Sequence, residues 1–282
     1  MEELFYQYEK TIRISAFFGI FALLAIWEIF SPKRKLLELR RFRWFSNIGL
    51  IVVANILIRF IIPTAAIGVA LHAEQEQLGF LHHINHLPIL QFILALILMD
   101  LAIYFQHVMF HALPVFWRFH RVHHSDLDCD ITTGVRFHPF EIVLSILFKF
   151  VVIVSIGAPV LAVILFEIVL NAASMFTHSN IKIPLTIERI TRWFIVTPDM
   201  HRTHHSVDES ETNSNFGFFI SVWDRIFGTY LKQPKLGHEN MQIGLQEFRE
   251  PKWQNLRWLI YLPFVSKING YAINKRKMEE KN

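Results

Sequence analysis

Long apolar segments constrain the fold of this chain more than any other feature of its sequence. Residues 14–30, 48–71 and 89–113 are each apolar over about the 20 residues that a helix needs to cross a bilayer core. A fourth apolar region, 142–176, is interrupted at "SIGAP", which leaves two arms of roughly 22 to 26 Å as helices. We therefore predict an all-α, polytopic membrane bundle of about three full spans plus a helical hairpin that is tilted or partly inserted.

The overall composition supports this class. Hydrophobic residues make up 52% of the chain and charged residues only 18%, which is unusual for a soluble domain. The opening "MEELFYQYEK" is acidic and no small-residue cleavage site follows the first apolar segment, so we expect that segment to stay as a span and not to be removed as a signal peptide. The single cysteine, Cys129, excludes an internal disulfide and a cysteine-based zinc site.

Basic residues indicate both partner class and orientation. They lie beside the apolar segments, so the net charge of +4 favours a membrane surface and no nucleic-acid partner. Six lysines and arginines fall within 33–43, whereas 72–88 contains no Lys or Arg. The positive-inside rule then places the first loop, the later histidine motifs and the C-terminus in the cytoplasm. For a bacterial source we expect the plasma or inner membrane.

The remaining outline is coarse. Residues 31–47 resemble a basic amphipathic connector, and 253–265, "WQNLRWLIYLPFV", is typical of a helix lying in the membrane interface. The last residues, "NKRKMEEKN", are predicted to be a mobile tail. No linker divides the chain, so we predict a single membrane domain over 1–282.

Two nearly identical stretches carry the strongest chemical signal. "HRVHH" at 120–124 and "HRTHH" at 201–205 differ at one position, and about 0.04 H-x-x-H-H matches would be expected by chance. Histidines at i, i+3 and i+4 share one face of a helix. His107 and His111 add an i, i+4 pair at the end of the third apolar segment. These eight imidazoles are therefore predicted to converge.

A metal site is the chemistry that such a cluster favours. Neutral imidazole is the commonest protein metal ligand, and eight of them exceed the capacity of one ion but suit two adjacent ions. The alternative is an interfacial or pH-sensing histidine cluster. Val108 stands where an H-E-x-x-H metalloprotease has its general base. No E-x-x-H occurs, which argues against a carboxylate-bridged site.

Six motifs together resemble the fatty acid hydroxylase superfamily, or sterol desaturase family, of integral membrane di-iron oxygenases. They are "DLAIYFQHVMFH" at 100–111, "FHRVHHSDLD" at 119–128, "RFHPFE" at 136–141, "THSN" at 177–180, "TPDMHRTHHS" at 197–206 and "NSNFGFFISVWDRIFGTY" at 213–230. The resemblance divides the chain into N-terminal transmembrane spans at 1–98, a hydroxylase-like catalytic region at 99–231, and a C-terminal interfacial helix and tail at 232–282.

The resemblance implies two metal ions, taken to be iron, that activate O2. The implied ligands are His107, His111, His120, His123, His124, His138, His178, His201, His204 and His205. Lys182 occupies a position where relatives show a further histidine after His178, which leaves the ligand count at the second metal open. For His138, hydrogen bonding to a helix end is the alternative.

Polar residues near these motifs are candidates for supporting catalytic roles. Asp100 and Tyr104 share the helical face of His107, and a carboxylate within a span is a functional candidate because leaving it unpaired is costly; packing against a Lys or Arg is the alternative. Asn171 and Asp199 are further candidates for orienting ligands. Two other sets are predicted to be structural: a turn and ion pair that brace the cap, from Asn213, Asn215, Asp224 and Arg225, and a solvated acidic loop, from Asp126, Asp128 and Asp130.

The predicted function is a membrane-bound, O2-dependent di-iron oxidoreductase that hydroxylates or desaturates a lipid, such as an acyl chain, a sterol or an alkylglycerol-like lipid. The chain has no flavin, heme or iron–sulfur motif, so a separate electron donor is expected, of ferredoxin or cytochrome type with its reductase. Which lipid is oxidised, at which position, and the oligomeric state are left open.

Two other functions remain open from the sequence. A zinc-binding membrane protein could use the cluster for hydrolysis or for structure, since imidazole suits Zn, Cu, Fe and Ni alike, and zinc could also replace iron during purification. A metal transporter would instead need ligands along a path at mid-membrane, whereas counting the spans places these histidines at one end.

Overall fold

A computed structural model describes residues 2–62, 64–265, 271 and 273, and these residues form an all-helical fold. They contain no β-strand, only three isolated β-bridges. The α-helices are α1 Glu2–Phe30, α2 Arg40–Ile61, α3 Ala66–Gln75, α4 Pro88–Ala112, α5 Pro114–His124, α6 Pro139–Ile156, α7 Val160–His178, α8 Leu185–Thr191, α9 Pro198–His204, α10 Glu209–Thr212, α11 Val222–Ile226, α12 Gly237–Asn240 and α13 Leu256–Tyr261. Short 3₁₀ turns lie at Phe80–Ile84, Ile131–Val135, Pro251–Gln254 and Leu262–Phe264.

Within the described residues, five segments are long and apolar enough to cross a membrane. They are Tyr8–Phe30, Arg40–Gln75, Pro88–Ala112, Pro139–Ile156 and Val160–His178. Many of their large apolar side chains face outward; Phe60, for example, is 85% exposed. Such a surface is stable against lipid and not against water. The predicted all-α membrane bundle is therefore confirmed.

The hairpin formed by α6 and α7 is longer than the sequence reading expected. Pro139 starts α6 and α7 continues to His178, so the helices have 18 and 19 residues, or about 27 and 28 Å. The break lies at Gly157, whose φ of +70° favours glycine and where a Cβ would approach the carbonyl oxygen of Leu78 to 2.5 Å. Both arms are long enough to cross a bilayer and need not be partly inserted.

The predicted connector and C-terminal helix also differ from expectation. The second half of residues 31–47 belongs to α2. Residues 253–265 form three short helical pieces, in which Leu259 and Leu262 pack against Leu50 and Val122 in a buried cluster. The tail "NKRKMEEKN" lies outside the described residues.

One end of the bundle brings together the segments that carry the histidine motifs. There α1 ends, α2 begins, α4 ends, α6 begins and α7 ends. The backbone N–H of Lys33 donates to the carbonyl of Asn180, which joins the segments that follow α1 and α7. The opposite end carries α3 and the turn at Gly157. The predicted convergence of the histidine motifs on one face therefore has its structural basis in the helix directions.

The acidic loop after α5 is a correction to the sequence reading, because it is buried and not solvated. Asp126, Asp128 and Asp130 are each at most 2% exposed. The guanidinium of Arg43, on α2, pairs with Asp126 at 2.9 Å and also with Asp130. Burial opposes ionisation of Asp126, but Arg43 and Arg136 outweigh it and hold the pKa of Asp126 below its usual range. The loop thus anchors α2 to the polar end of the bundle.

Candidate metal centre

Two short helices present the repeated motifs. Pro114 begins α5, which ends at His124, so His120, His123 and His124 lie on its last turns. Pro198 begins α9, and the Thr197 side chain caps it by accepting a hydrogen bond from the N–H of Met200. Proline at the first position and a threonine cap both favour helix initiation here. Each "HRxHH" stretch is thus held as the end of a rigid helix.

The histidines form two groups, each with its candidate ligand atoms within 4.8 Å of one another. We call them the five-histidine group and the four-histidine group. The five-histidine group contains His107, His111, His120, His124 and His204. The four-histidine group contains His123, His178, His201 and His205. All nine residues are buried.

The two groups are adjacent because both repeated motifs contribute to both. In α5, His123 points to one group while its neighbour His124 points to the other, and their ring centroids are 5.4 Å apart. Across the helices, the rings of His124 and His205 stack at 4.5 Å. The spacing H-x-x-H-H therefore supplies one ligand set on each side of a shared wall. This is the arrangement that a pair of neighbouring ions needs.

Hydrogen bonds outside the groups orient the rings. The Nδ1–H groups of His107, His178 and His204 donate to the carbonyl oxygens of Phe216 (2.9 Å), Ser174 (2.6 Å) and Ser214 (2.8 Å). Because a carbonyl oxygen only accepts, Nδ1 carries the proton in each of these rings and Nε2 keeps its lone pair. That tautomer leaves Nε2 free to bind a metal.

Unpartnered nitrogen atoms test whether the groups fit metal ions. Among the described residues, Nε2 of His120 and of His204 is buried without a hydrogen-bond partner, and so are both ring nitrogens of His205. Leaving polar atoms unpaired in a dry interior is costly. A metal ion bound to these lone pairs would remove that cost. The donor set therefore fits two imidazole-ligated ions.

Electrostatics keeps these rings in the ligating form. Burial, followed by repulsion from neighbouring imidazoles, holds the pKa of His120, His123, His124, His201 and His205 well below the ordinary 6.5. Neutral imidazole is the form that binds metals. At neutral pH the centre is therefore ready to bind cations without first releasing protons.

His138 lies outside both groups, so the geometry gives it the alternative role and no place among the ligands. It caps the start of α6: its Nδ1 accepts a hydrogen bond from the N–H of Phe140 at 3.2 Å, and its Nε2 lies 3.2 Å from the carbonyl of Ile260. Both nitrogens are used. The structure thus brings together nine of the ten predicted ligands. His178 is among them although it has no companion histidine at position 182: its Nε2 lies 3.0 Å from Nε2 of His123 and 2.9 Å from Nε2 of His201.

Asp100 and Tyr104 support the centre indirectly. Asp100 accepts hydrogen bonds from the backbone N–H of Ile220 at 3.1 Å and the indole of Trp223 at 2.8 Å. The Tyr104 hydroxyl lies 2.8 Å from that of Thr229. Both residues therefore brace the segment around 213–230, which carries the carbonyl groups that orient His107 and His204. Neither contacts a histidine ring through these bonds, so we treat them as positioning residues.

The remaining candidates occupy other places. The side chain of Asn171 donates to the carbonyl of Glu167 and lies in a cavity wall. Asp199 pairs with Lys33 at 2.8 Å and Arg202 at 2.6 Å. Its contacts tie α9 to the segment after α1, so its role is structural.

The cap segment contains contacts that the sequence reading did not resolve. Asp224 accepts from the backbone N–H groups of Phe216 and Gly217 at 2.7 and 2.9 Å, which shapes the turn as expected. Arg225 donates to the carbonyls of Ser221 and Arg192, so its bracing is through the backbone. The amide of Asn213 faces Nδ1 of His111 at 3.3 Å.

Glu141 is a candidate functional residue that the sequence analysis did not single out. Its Oε1 lies 2.6 Å from Nδ1 of His120, and the side chain is buried. The sequence carries a signal for it, because an unpaired carboxylate at the start of an apolar helix is as costly as the one at Asp100.

A cavity of about 320 Å³ opens from the centre into the bundle. His107, His120, His123, His178 and His201 line its near end. Its walls come from α1, α2, α4, α6 and α7 and are mainly apolar. A pocket of this size suits part of a small lipid.

Similarity to known proteins is concentrated in the region that contains the histidine motifs. The fatty acid hydroxylase family model matches residues 92–229, which contain all ten predicted histidines. The chain is 26% identical over 222 residues to ornithine lipid hydroxylase OlsE of Rhizobium tropici, covering 76% of this chain and 65% of that protein. It is 29% identical over 137 residues to alkylglycerol monooxygenase of Xenopus tropicalis, with 48% and 29% covered. Cholesterol 25-hydroxylase of Homo sapiens is 26% identical over 163 residues, with 56% and 54% covered.

The chain thus matches less than two thirds of the length of each of these relatives. No solved structure matches it. The motifs, the all-helical bundle with its buried histidine groups, and the family match at 92–229 agree with one another. Over residues 92–229, just under half of its length, this chain matches the fatty acid hydroxylase family.

Proposed function

We propose that this protein is a membrane-bound, O2-dependent lipid hydroxylase that uses two iron ions. The observation that carries the proposal is the pair of adjacent, buried histidine groups at the mouth of an apolar cavity. The three relatives described above are named as hydroxylases or monooxygenases of lipids. Their names favour insertion of oxygen over desaturation.

The residues of the two groups would hold the ions through Nε2 or Nδ1 lone pairs. When bound, the ions would supply activation of O2 toward a lipid C–H bond. Imidazole ligation without bridging carboxylates is compatible with iron, and the five-histidine group exceeds the four ligands of a structural zinc site. The contacts of His107 and His204 to backbone carbonyls would keep the ligand geometry fixed.

The chain itself would bind and orient the lipid. Apolar residues such as Ile103 and Phe218 line the cavity, so a hydrocarbon chain would replace water there. Water exclusion also protects reactive species from side reactions. The walls contributed by spanning helices would allow a substrate to arrive from the bilayer.

An external donor would supply electrons. Monooxygenation places one oxygen atom in the C–H bond and reduces the other to water, which requires two electrons and two protons. Lys35 and Lys182 are exposed at the end of the bundle that holds the centre. Their charge would attract an acidic ferredoxin or cytochrome-type donor with its reductase. By the distribution of basic residues, this end would face the cytoplasm.

Metal analysis and lipid profiling test the proposal together. Protein purified without oxygen should contain about two irons per chain, and cells producing it should accumulate a lipid heavier by one oxygen atom only under air. The double variant His123→Ala/His204→Ala is the inactive control. Stoichiometric zinc with no O2-dependent product would contradict the proposal and favour the zinc-binding alternative.

A further inference from the structure

The far end of the cavity holds a cluster of charges that the catalytic centre does not use. Glu167 on α7 pairs through Oε2 with Arg13 on α1 at 2.6 Å and through Oε1 with Lys149 on α6 at 2.7 Å. All three side chains line the cavity. We call them the charged triad.

Helix geometry locates the charged triad relative to the centre. Lys149 lies eight residues after Glu141 on α6, and Glu167 lies eleven residues before His178 on α7. These separations correspond to about 12 and 16 Å along the helix axes. The two residues of each pair, Glu141 with Lys149 and Glu167 with His178, line the same cavity. An elongated molecule of that length could therefore contact the triad and the histidines at once.

Stability does not account for the charged triad. Ionised groups in the middle of a membrane span are costly, and apolar residues of similar size commonly serve packing as well or better. The attachment of α1 to α7 already has an apolar basis, since Leu24 and Ala25 share a buried cluster with Met175. The charges are therefore better explained by a ligand.

The balance of charge indicates what kind of ligand would bind. At this end of the cavity two cations face one carboxylate, Glu167; the other carboxylate of the cavity wall, Glu141, lies beside His120. Glu9 also lies near Arg13, with 3.5 Å between Oε2 and Nη1, but Glu9 is not part of the cavity wall. In the part of the chain that the structure describes, Lys149 has Glu167 as its one ion-pair partner. Inside the cavity the two cations share Glu167, so one further acidic group there would give each cation its own partner.

We propose that the charged triad is the recognition site for a single acidic group, a carboxylate or a phosphate, on an amphiphilic lipid substrate. This inference rests on the proposed function, because it names the substrate class of the same site. The hydrocarbon chain then runs from the triad toward the histidines. The C–H bond presented to the centre is distant from the acidic group.

Binding to the metal-free protein tests the site without requiring catalysis. The probes are labelled palmitate, hexadecyl phosphate and hexadecanol in maltoside micelles at pH 8, which share one chain length and differ in the polar group. At least one acidic probe should bind about tenfold more tightly than the alcohol, as expected for a hydrogen-bonded charge pair. The acidic probe that shows this preference identifies carboxylate or phosphate as the source.

Two variants with opposite expected effects separate recognition from structure. Lys149→Met should lower the affinity for the acidic probe about tenfold and leave hexadecanol unchanged. Glu167→Gln removes the competing carboxylate and should raise the affinity for the acidic probe. Lys182→Met, an exposed lysine outside the cavity, is the matched control. If Lys149→Met fails to fold, Glu167→Gln decides.

Equal binding of acids and alcohol, or weaker acid binding in Glu167→Gln, would overturn the proposal and make the triad structural. Such a result would leave the iron content and lipid oxidation of the wild type untouched. Conversely, selective acid binding by a protein that holds no iron would support the site while the hydroxylase function fails. In the active enzyme, oxidation should occur in the half of a palmitate chain farther from the carboxylate, and oxidation next to the carboxylate would also contradict this orientation.

Discussion

Nδ1 of His120 lies 2.6 Å from Oε1 of Glu141, and this pairing connects the first turn of α6 to the five-histidine group. The carboxylate holds the proton on Nδ1 and leaves the Nε2 lone pair for a metal. Such partners also raise the basicity of a ligand. Glu141 is therefore expected to affect metal retention although it is not itself a candidate ligand.

Glu141→Gln should lower metal affinity by about 10- to 100-fold, because an amide orients the ring less well than a carboxylate. Metal retained during dialysis against a graded chelator series measures the change. Glu76→Gln, an exposed carboxylate outside the site, is the control. Equal metal retention in Glu141→Gln and in the wild type would show that the Glu141–His120 contact contributes only to packing.

The buried loop after α5 should make a large contribution to stability. Asp126→Asn leaves the guanidinium of Arg43 partly unpaired inside the protein and is expected to lower the free energy of unfolding by roughly 3 to 5 kcal/mol. Asp208→Asn breaks an exposed pair with Lys235 and should cost at most about 1 kcal/mol. Thermal unfolding in detergent compares them. Similar melting temperatures would indicate that the loop is solvated after all.

His138→Ala should separate helix capping from metal binding. Because both nitrogens of His138 bond to backbone groups, its loss should cost about 1 kcal/mol of stability and leave the metal content at the wild-type level. His178→Ala is the matched comparison within the four-histidine group and should lose metal. Equal metal loss in the two variants would indicate that His138 is a metal ligand.

Acidification should destabilise the metal-free protein. The histidines of the repeated motifs keep a pKa below 6.5 in the folded state, so below pH 6.5 the unfolded chain binds more protons and stability falls. Burial raises the pKa of Asp128 to about 6 and also raises the pKa of Asp224. Such groups oppose the trend, but the histidines with a lowered pKa are more numerous. The melting temperature should therefore drop between pH 7 and 5.5.

A variant provides the control for that pH dependence. Replacing two of these rings, as in His124→Phe/His205→Phe, should reduce the pH dependence of stability without abolishing it. A melting temperature that stays constant or rises on acidification would contradict the neutral, buried state of these rings.

The predictable part of this molecule is the part set by periodicity and spacing. Apolar length identified the spanning helices, and H-x-x-H-H identified residues that share a helical face and converge. The cap around Asp224 was also expected to be structural. These features depend on local geometry. The division of His123 and His124 between two groups emerges only from the structure.

The remainder depends on contacts between distant segments. Asp126 and Asp130 look like a solvated loop until Arg43 is brought to them across 83 and 87 positions of the chain. His138 sits in a metal-like motif, yet the carbonyl of Ile260 takes its second nitrogen. The charged triad joins three helices whose separate charges gave no pattern. Hairpin length was underestimated because Pro139 could be recognised as a helix start only with its cap.

The most direct test of the account is the number of iron ions per chain in three proteins purified without oxygen: the wild type, His204→Ala from the five-histidine group and His123→Ala from the four-histidine group. We expect about two, one and one, with each variant inserted in the membrane and catalytically inactive. Two ions retained in both variants, or fewer than two in the wild type after reconstitution with iron, would contradict a pair of adjacent metal sites.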